Sequence, residues 1–133
     1  MMFAGLFVVV AGAERALLTP DRIAMAKTMG LDMPWRLSAF TAVLSNLVSN
    51  VPAVLALKPF VPTFGDPRKA WLIVAMSSTL AGNLTLLGSV ANLIVAEQAK
   101  GQGVTIGFWD YVKVGLPLTL ITLAAGTWWL MRP

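Results

Sequence analysis

Two long apolar runs in this chain are interrupted by residues that a membrane helix does not need: LSNLVSNVP at 44–52 and AGNLTLLGSVAN at 81–92. Hydrocarbon cannot solvate a free backbone N–H or C=O. Irregular backbone therefore survives at membrane depth only where it is buried in protein or lines a cavity. Ser, Asn, Thr, Gly and Pro in the middle of such runs thus limit the fold more tightly than any uninterrupted helix does. Each interruption must find shelter, and the same residues offer donors and acceptors to whatever enters.

Composition places these runs in a bilayer. The chain is 57% hydrophobic and only 12% charged, with mean hydropathy +0.76, against roughly 25% charged in soluble domains. Its 133 residues make one membrane domain, 1–133, with no room for a separate soluble one. The net charge of +4 comes from ten Lys and Arg that lie almost wholly in connecting segments, where they act as topology determinants. No basic patch is interleaved with aromatics, so the expected partner is the lipid bilayer and not nucleic acid. Cys and His are absent, which removes thiolate nucleophiles, Cys/His metal sites, haem attachment and Ser-His-Asp chemistry. No enzyme activity, metal or organic cofactor is expected. MMFAGLFVVVAGAER lacks a basic n-region, so it reads as a transmembrane helix entered directly and not as a cleaved signal.

Residues 2–18 are apolar except for Glu14 and Arg15 and reach about 25 Å as a helix, close to the hydrocarbon thickness. Thr19, Pro20 and Asp21 supply an N-cap, a first-turn proline and a first-turn acid. They open a short interfacial helix over 20–30, with Arg22 and Lys27 against Ile23, Ala26 and Met29. For 36–60 the expected element is a re-entrant helical hairpin with its tip at 45–52. The other arrangement is one continuous helix kinked at Pro52, with Ser45/Ser49 and Asn46/Asn50 as i,i+4 pairs gluing it to a neighbour. Charge favours the hairpin. Arg15, Arg22, Lys27 and Arg36 precede it and Lys58, Arg68 and Lys69 follow, and a crossing helix would put basic segments on both sides of the membrane.

A single helix over 71–99 would be about 43 Å long, well beyond a hydrocarbon core of about 30 Å. Gly82 and Gly88 bracket Asn83, Leu84 and Thr85, so 69–99 is expected as a broken transmembrane helix with halves near 69–81 and 89–99, Ser89 capping the second. One long tilted helix with small residues on its packing face is the alternative. Residues 106–131 form the cleanest transmembrane helix. Trp109 and Tyr111 mark one interface and Trp128 and Trp129 the other, about 28 Å away. Pro117 should kink it, and it reads as scaffold.

A dry cavity that takes a polar solute must replace lost water contacts with protein dipoles. Asn supplies donors and an acceptor, Ser and Thr a hydroxyl, and unwound backbone free N–H and C=O groups. Half-helix N-termini favour anions, and freed carbonyls favour cations such as Na⁺. No Lys or Arg lies at either break, which argues against a multiply charged substrate. Glu14 is the one acid placed at depth. It is a candidate for proton coupling and, beside Arg15 near a helix end, equally an interfacial charge. Asp110 reads as a helix-start charge.

These residues resemble the ion transporter superfamily, which takes in arsenite/antimonite permeases, sodium/proton antiporters, citrate transporters and divalent-anion symporters. LFVVVAGAE at 6–14, SNLVSNVPAVL at 45–55 and GNLTLLGSVANLIV at 82–95 resemble second-half motifs of the arsenite-permease and anion-transporter branch. The resemblance covers nearly the whole chain, as one C-terminal repeat. It implies an all-α integral membrane fold, one inverted-repeat half of a secondary transporter, with a substrate site between hairpin and broken helix. By motif, Ser45, Asn46, Ser49, Asn50 and Pro52 form the hairpin tip. Gly82, Asn83, Thr85, Gly88 and Ser89 form the facing break, with Asn92 one turn beyond. SNLVSNVP stands where the symporter branch carries a Ser-Asn-Thr tip.

The expected function is that of the C-terminal half of a secondary active transporter for a small anion or oxyacid, driven by a proton or sodium gradient, in a bacterial-type inner membrane. The other half would come from an N-terminal repeat or a homodimer partner. A non-transporting scaffold or assembly subunit, or an inactive fragment, is the alternative.

Overall fold

Prolines and short capping side chains mark where helices begin. The computed structural model describes Thr28 and residues 30–132; the expected helix at 2–18, Glu14 and nearly all of the expected helix at 20–30 lie outside them. Helix α1, Pro34–Val48, opens on a first-turn proline, where a missing N–H costs nothing. After the single residue Ser49, helix α2 covers Asn50–Leu57. A 3₁₀ turn at Val61–Thr63 leads to Asp66, whose side chain accepts from Lys69 N–H at 3.0 Å and caps helix α3, Pro67–Ala81. A second 3₁₀ turn, Leu86–Gly88, is followed by Ser89, whose hydroxyl accepts from Ala91 N–H at 3.2 Å and caps helix α4, Val90–Gly101. Helix α5, Phe108–Met131, runs uninterrupted through Pro117.

Contacts fix how these pieces run. Ser38 meets Ser77, Ser45 meets Ser78 and Asn46 meets Ala81, so α1 and α3 rise side by side in the same direction. Both start at one end, the base, so α2 and residues 58–66 must carry the chain back down from the top of α1. Residues 34–57 are therefore a helical hairpin. On α5, Gly115 lies against Asn83 and Leu84, Gly126 against Met76 and Thr127 against Ser38. Helix α5 thus descends antiparallel to α3, and its first turns stand beyond the level at which α3 stops.

Two kinds of core hold the bundle. At the base, Leu31, Leu37, Leu57, Val61, Phe64, Ala70, Ile73 and Val74 form an apolar cluster that joins both arms of the hairpin to the start of α3. Midway up, where α1, α3 and α5 meet, the buried side chains are small and hydroxylic: Ser38, Thr41, Ser45, Ser77, Ser78, Thr119 and Thr127. Thr127 Oγ1 donates to Ser38 Oγ at 3.0 Å, and Ser38 and Ser77 hydroxyls lie 2.8 Å apart. Lipid supplies no hydrophobic drive between helices, so close approach through small residues and hydrogen bonds of about 0.6–1.7 kcal/mol each do that work. The outside is correspondingly apolar, with Leu47, Leu87, Val90, Trp109, Ile121 and Trp129 all exposed. Helix α5, about 36 Å long, is long and apolar enough to cross a membrane, and only 17% of its most apolar window is buried. A core helix of a soluble protein would be mostly covered. Its last turn ends with the Arg132 guanidinium 3.8 Å over the Trp128 ring, a cation–π pairing suited to an interface.

Candidate functional site

The tip of the hairpin is narrower than the 45–52 stretch expected from the sequence. Ser45 and Asn46 belong to the last turn of α1, Pro52 lies in the first turn of α2, and the reversal falls on Ser49 alone. Its φ of 77° and ψ of 162° fall in a region that is essentially reserved for glycine and costs about 1–3 kcal/mol for other residues. Ser49 is the one non-glycine with positive φ among the described residues. The surroundings hold it there. Ser45 Oγ lies 2.7 Å from Asn50 Oδ1 and 3.0 Å from Ser78 O, so one buried hydroxyl ties both arms of the tip to α3. Ala53 N–H donates to Ser49 O at 3.1 Å. Pro52 has no N–H to satisfy in that turn.

The top of α3 unwinds against this tip. Asn46 Nδ2 donates to Ala42 O at 3.1 Å within its own helix and to Ala81 O at 2.9 Å across the gap. Its Oδ1 accepts from the Thr85 hydroxyl at 3.1 Å. Asn92, one turn into α4, donates to Gly82 O at 2.8 Å and to Thr85 O at 3.3 Å. Two asparagines thus add donors where α3 ends: Gly82 O has Asn92 as its donor, while Ala81 O and Thr85 O also accept from Leu84 N–H and Gly88 N–H. Gly88 makes the junction possible. A Cβ there would lie 2.9 Å from Gly82 O and 3.0 Å from Asn46 Oδ1. The structure therefore brings Ser45, Asn46, Asn50, Gly82, Thr85, Gly88 and Asn92 together, with Ser49 exposed at the rim.

Asn83 goes elsewhere. Its side chain lines a cavity of about 370 Å³ on the α5 side, with Thr105, Asp110, Tyr111 and Gly115. It makes no side-chain hydrogen bond among the described residues.

What remains available at the tip follows from these bonds. Both donors of Asn46 and both of Asn92 are spent on backbone. Among the described residues, the Asn50 Nδ2 group and the Ser49 hydroxyl have no partner. The N-termini of α2 and α4 add partial positive charge. No charged side chain takes part, and among the described residues no three His, Cys, Asp or Glu side chains gather. Such a constellation can hold a small, hydroxyl-rich or weakly charged solute by dipoles alone. Sequence reading missed Gly115 and the hydroxyl seam of Ser38, Ser77 and Thr127, although TLITLAAGT at 119–127 carries small residues at packing intervals.

Comparison with known proteins adds the following. The profile of the citrate transporter family matches residues 1–132. Among curated proteins, a candidate transporter of Dictyostelium discoideum, arsB, is 39% identical over 95% of this chain and 23% of its own length. The silicon efflux transporter LSI3 of Oryza sativa subsp. japonica is 39% identical over 95% of this chain and 29% of its own. A 46 kDa membrane protein of Mycobacterium leprae is 31% identical over 93% and 32%. The chain thus spans between about a quarter and a third of the length of these relatives. No solved structure matches it significantly.

Proposed function

The chain belongs to the citrate transporter family and is an integral membrane protein, and on that premise we propose that it forms the C-terminal half of a secondary active transporter. In this reading 34–57 is a re-entrant hairpin that dips into the membrane and returns. Helices α3 and α4 are two halves of one broken transmembrane span, and α5 crosses completely. The solute is a small oxyacid or anion and a proton or sodium gradient drives it, with no covalent chemistry. The membrane is a plasma membrane of bacterial inner-membrane type. The remaining wall of the site comes from an N-terminal repeat or a second copy. Glu14, outside the described residues, stays a candidate for proton coupling.

The observation that carries this reading is the sheltered meeting of two interrupted helices. Asn46 and Asn92 donate to backbone carbonyls at the end of α3 and the turn after it, and Asn50 and Ser49 keep polar groups at the rim without partners among the described residues. A lone helix-packing role would leave no such surplus. The absence of charge at the tip favours a solute that is itself neutral near pH 7, such as arsenous or silicic acid, over a tricarboxylate. The rice relative is named for silicon efflux.

The test is flux of arsenite and of silicate through proteoliposomes containing the protein, under imposed proton and sodium gradients. Asn50→Ala should abolish flux while the protein remains in the membrane at wild-type level. Normal flux in Asn50→Ala and in Ser49→Ala would move the function to the scaffold reading, in which the asparagines only join helices. That reading has its own support, because every donor of Asn46 and Asn92 already serves backbone.

A further inference from the structure

We propose that the cleft between α1 and α5 binds an anionic phospholipid, with one acyl chain lying in the cleft and the phosphate held at its base end by Arg132. The proposal rests on the chain's place in a membrane and not on the solute reading, and it lies away from the hairpin tip.

Small residues open the cleft. Where the two helices touch, Thr127 Oγ1 donates to Ser38 Oγ at 3.0 Å. Above that bond, Ala39 and Ala42 on α1 and Ala124 on α5 leave a cavity of about 320 Å³. Ser38, Ala42 and Thr119 in its lining are buried, and its rims are the exposed Trp35 and Val43 on α1 and Leu116 and Leu120 on α5. The cleft therefore opens on the flank of the bundle, through apolar rims. From Trp35 to Val43 is about 12 Å along the helix. That length runs from the base to Leu84 beside the break and stays within one leaflet of a core about 30 Å thick.

Shape and charge name the occupant. A helix with its side chains is about 10–12 Å across, so a 12 Å length of one fills roughly 1,000 Å³, about three times this cleft. An alkyl chain is a single file of carbons and fits. At the base end, Trp128 follows Ala124 by one turn on the same stripe of α5, and the Arg132 guanidinium lies 3.8 Å over its ring. Trp35 flanks the same end from α1. Aromatic rings sit at headgroup level, and the planar fork of an exposed guanidinium matches a phosphate. The surrounding charge has the same sign. Among the described residues the base carries Arg36, Lys58, Arg68, Lys69 and Arg132 against Asp32 and Asp66, whereas the other end carries Lys100 and Lys113 against Glu97 and Asp110. Five cations against two acids attract anionic lipid to the base, and two against two at the far end do not.

The experiment is native mass spectrometry of the purified protein released from detergent micelles holding equal amounts of phosphatidylglycerol and phosphatidylcholine. The wild type should retain one lipid and favour phosphatidylglycerol at least about fivefold, the worth of one basic residue at an anionic headgroup. Arg132→Gln should still retain a lipid, with that preference reduced about fivefold. Ala124→Phe, which fills the cleft from an exposed position, should lose the lipid whatever its headgroup. Retention in Ala124→Phe equal to the wild type overturns the proposal, because the lipid then sits elsewhere on the surface. An unchanged headgroup preference in Arg132→Gln overturns it as well, and this variant decides the matter where Ala124→Phe does not fold. A wild type that carries no lipid, and passes from dimer to monomer on Ala124→Phe, gives the cleft to a second copy and also overturns the proposal.

Discussion

Replacing Ser49 with glycine should make the protein more stable and less active at once. Ser49 holds φ 77° and ψ 162°, and for a residue with a Cβ that conformation costs about 1–3 kcal/mol. Glycine removes the cost. Against that, glycine loses more freedom on folding, which takes back about 0.5–1 kcal/mol. No bond is lost, because the exposed Ser49 side chain makes none among the described residues and the backbone bond from Ala53 N–H to Ser49 O survives. The balance is a gain of about 1 kcal/mol. The assay is a detergent titration of folded fraction on wild type, Ser49→Gly, Ser49→Ala and Ser49→Val. Alanine should match serine, valine should lose about 1 kcal/mol or more because a branched Cβ fits this region worst, and glycine alone should gain. A glycine variant less stable than the alanine variant would refute the reasoning, since strain would then not be stored at the turn. Flux completes the test. Strain kept at a reversal point marks a functional position, so the stabilised glycine variant should carry solute more slowly than the wild type.

Other expectations follow from the same geometry. Asn46→Ala removes two donors from backbone carbonyls and leaves the Thr85 hydroxyl without its acceptor, so stability should fall by about 1–3 kcal/mol in the same detergent titration. Thr41 is completely buried, and its hydroxyl has no partner among the described residues. Thr41→Val, of nearly equal shape, should therefore raise stability by about 1 kcal/mol; a loss of that size would mean the hydroxyl has a partner. Single cysteines introduced as Thr63→Cys and Gln102→Cys report topology without background, because the chain has no cysteine of its own. An impermeant thiol reagent should label them from opposite sides of the membrane, since Thr63 lies at the base and Gln102 beyond the break.

How far the arrangement can be read from the residues differs from place to place. Ser89 shows itself as a cap because a short hydroxyl side chain precedes VANLIV, and the structure has it accept from Ala91 N–H. Gly82 and Gly88, six residues apart around Asn83 and Thr85, suggest a stop because a helix through 71–99 would outrun the hydrocarbon, and α3 does end at Ala81, just before Gly82. The reversal between α1 and α2 is less legible. Proline and four polar residues in 45–52 suggest a broad loop, but the helices run to within one residue of each other and only Ser49 carries the turn. Propensity could not reveal that, since Ser45 holds the turn in place through Ser78 O on another helix. Asn46 and Asn92 read from sequence as solute ligands of the same rank as Asn50. Their distinct role appears only when the carbonyls 35 and 10 positions away are in view.

The residues themselves determine that this chain is helical, that it belongs in a membrane and that its polar chemistry is uncharged. Those properties follow from local sums: hydropathy over a bilayer's thickness, the length of a helix and the absence of Cys and His. Local sums do not say which asparagine closes the fold and which remains free, why α5 carries glycine at 115, or where the buried hydroxyls pair. Each of these depends on a partner far along the chain, such as Thr127 for Ser38 or Leu84 for Gly115. A hydrogen bond worth about 1 kcal/mol acts over a few ångströms, and only the packed arrangement of helices brings those partners within its reach.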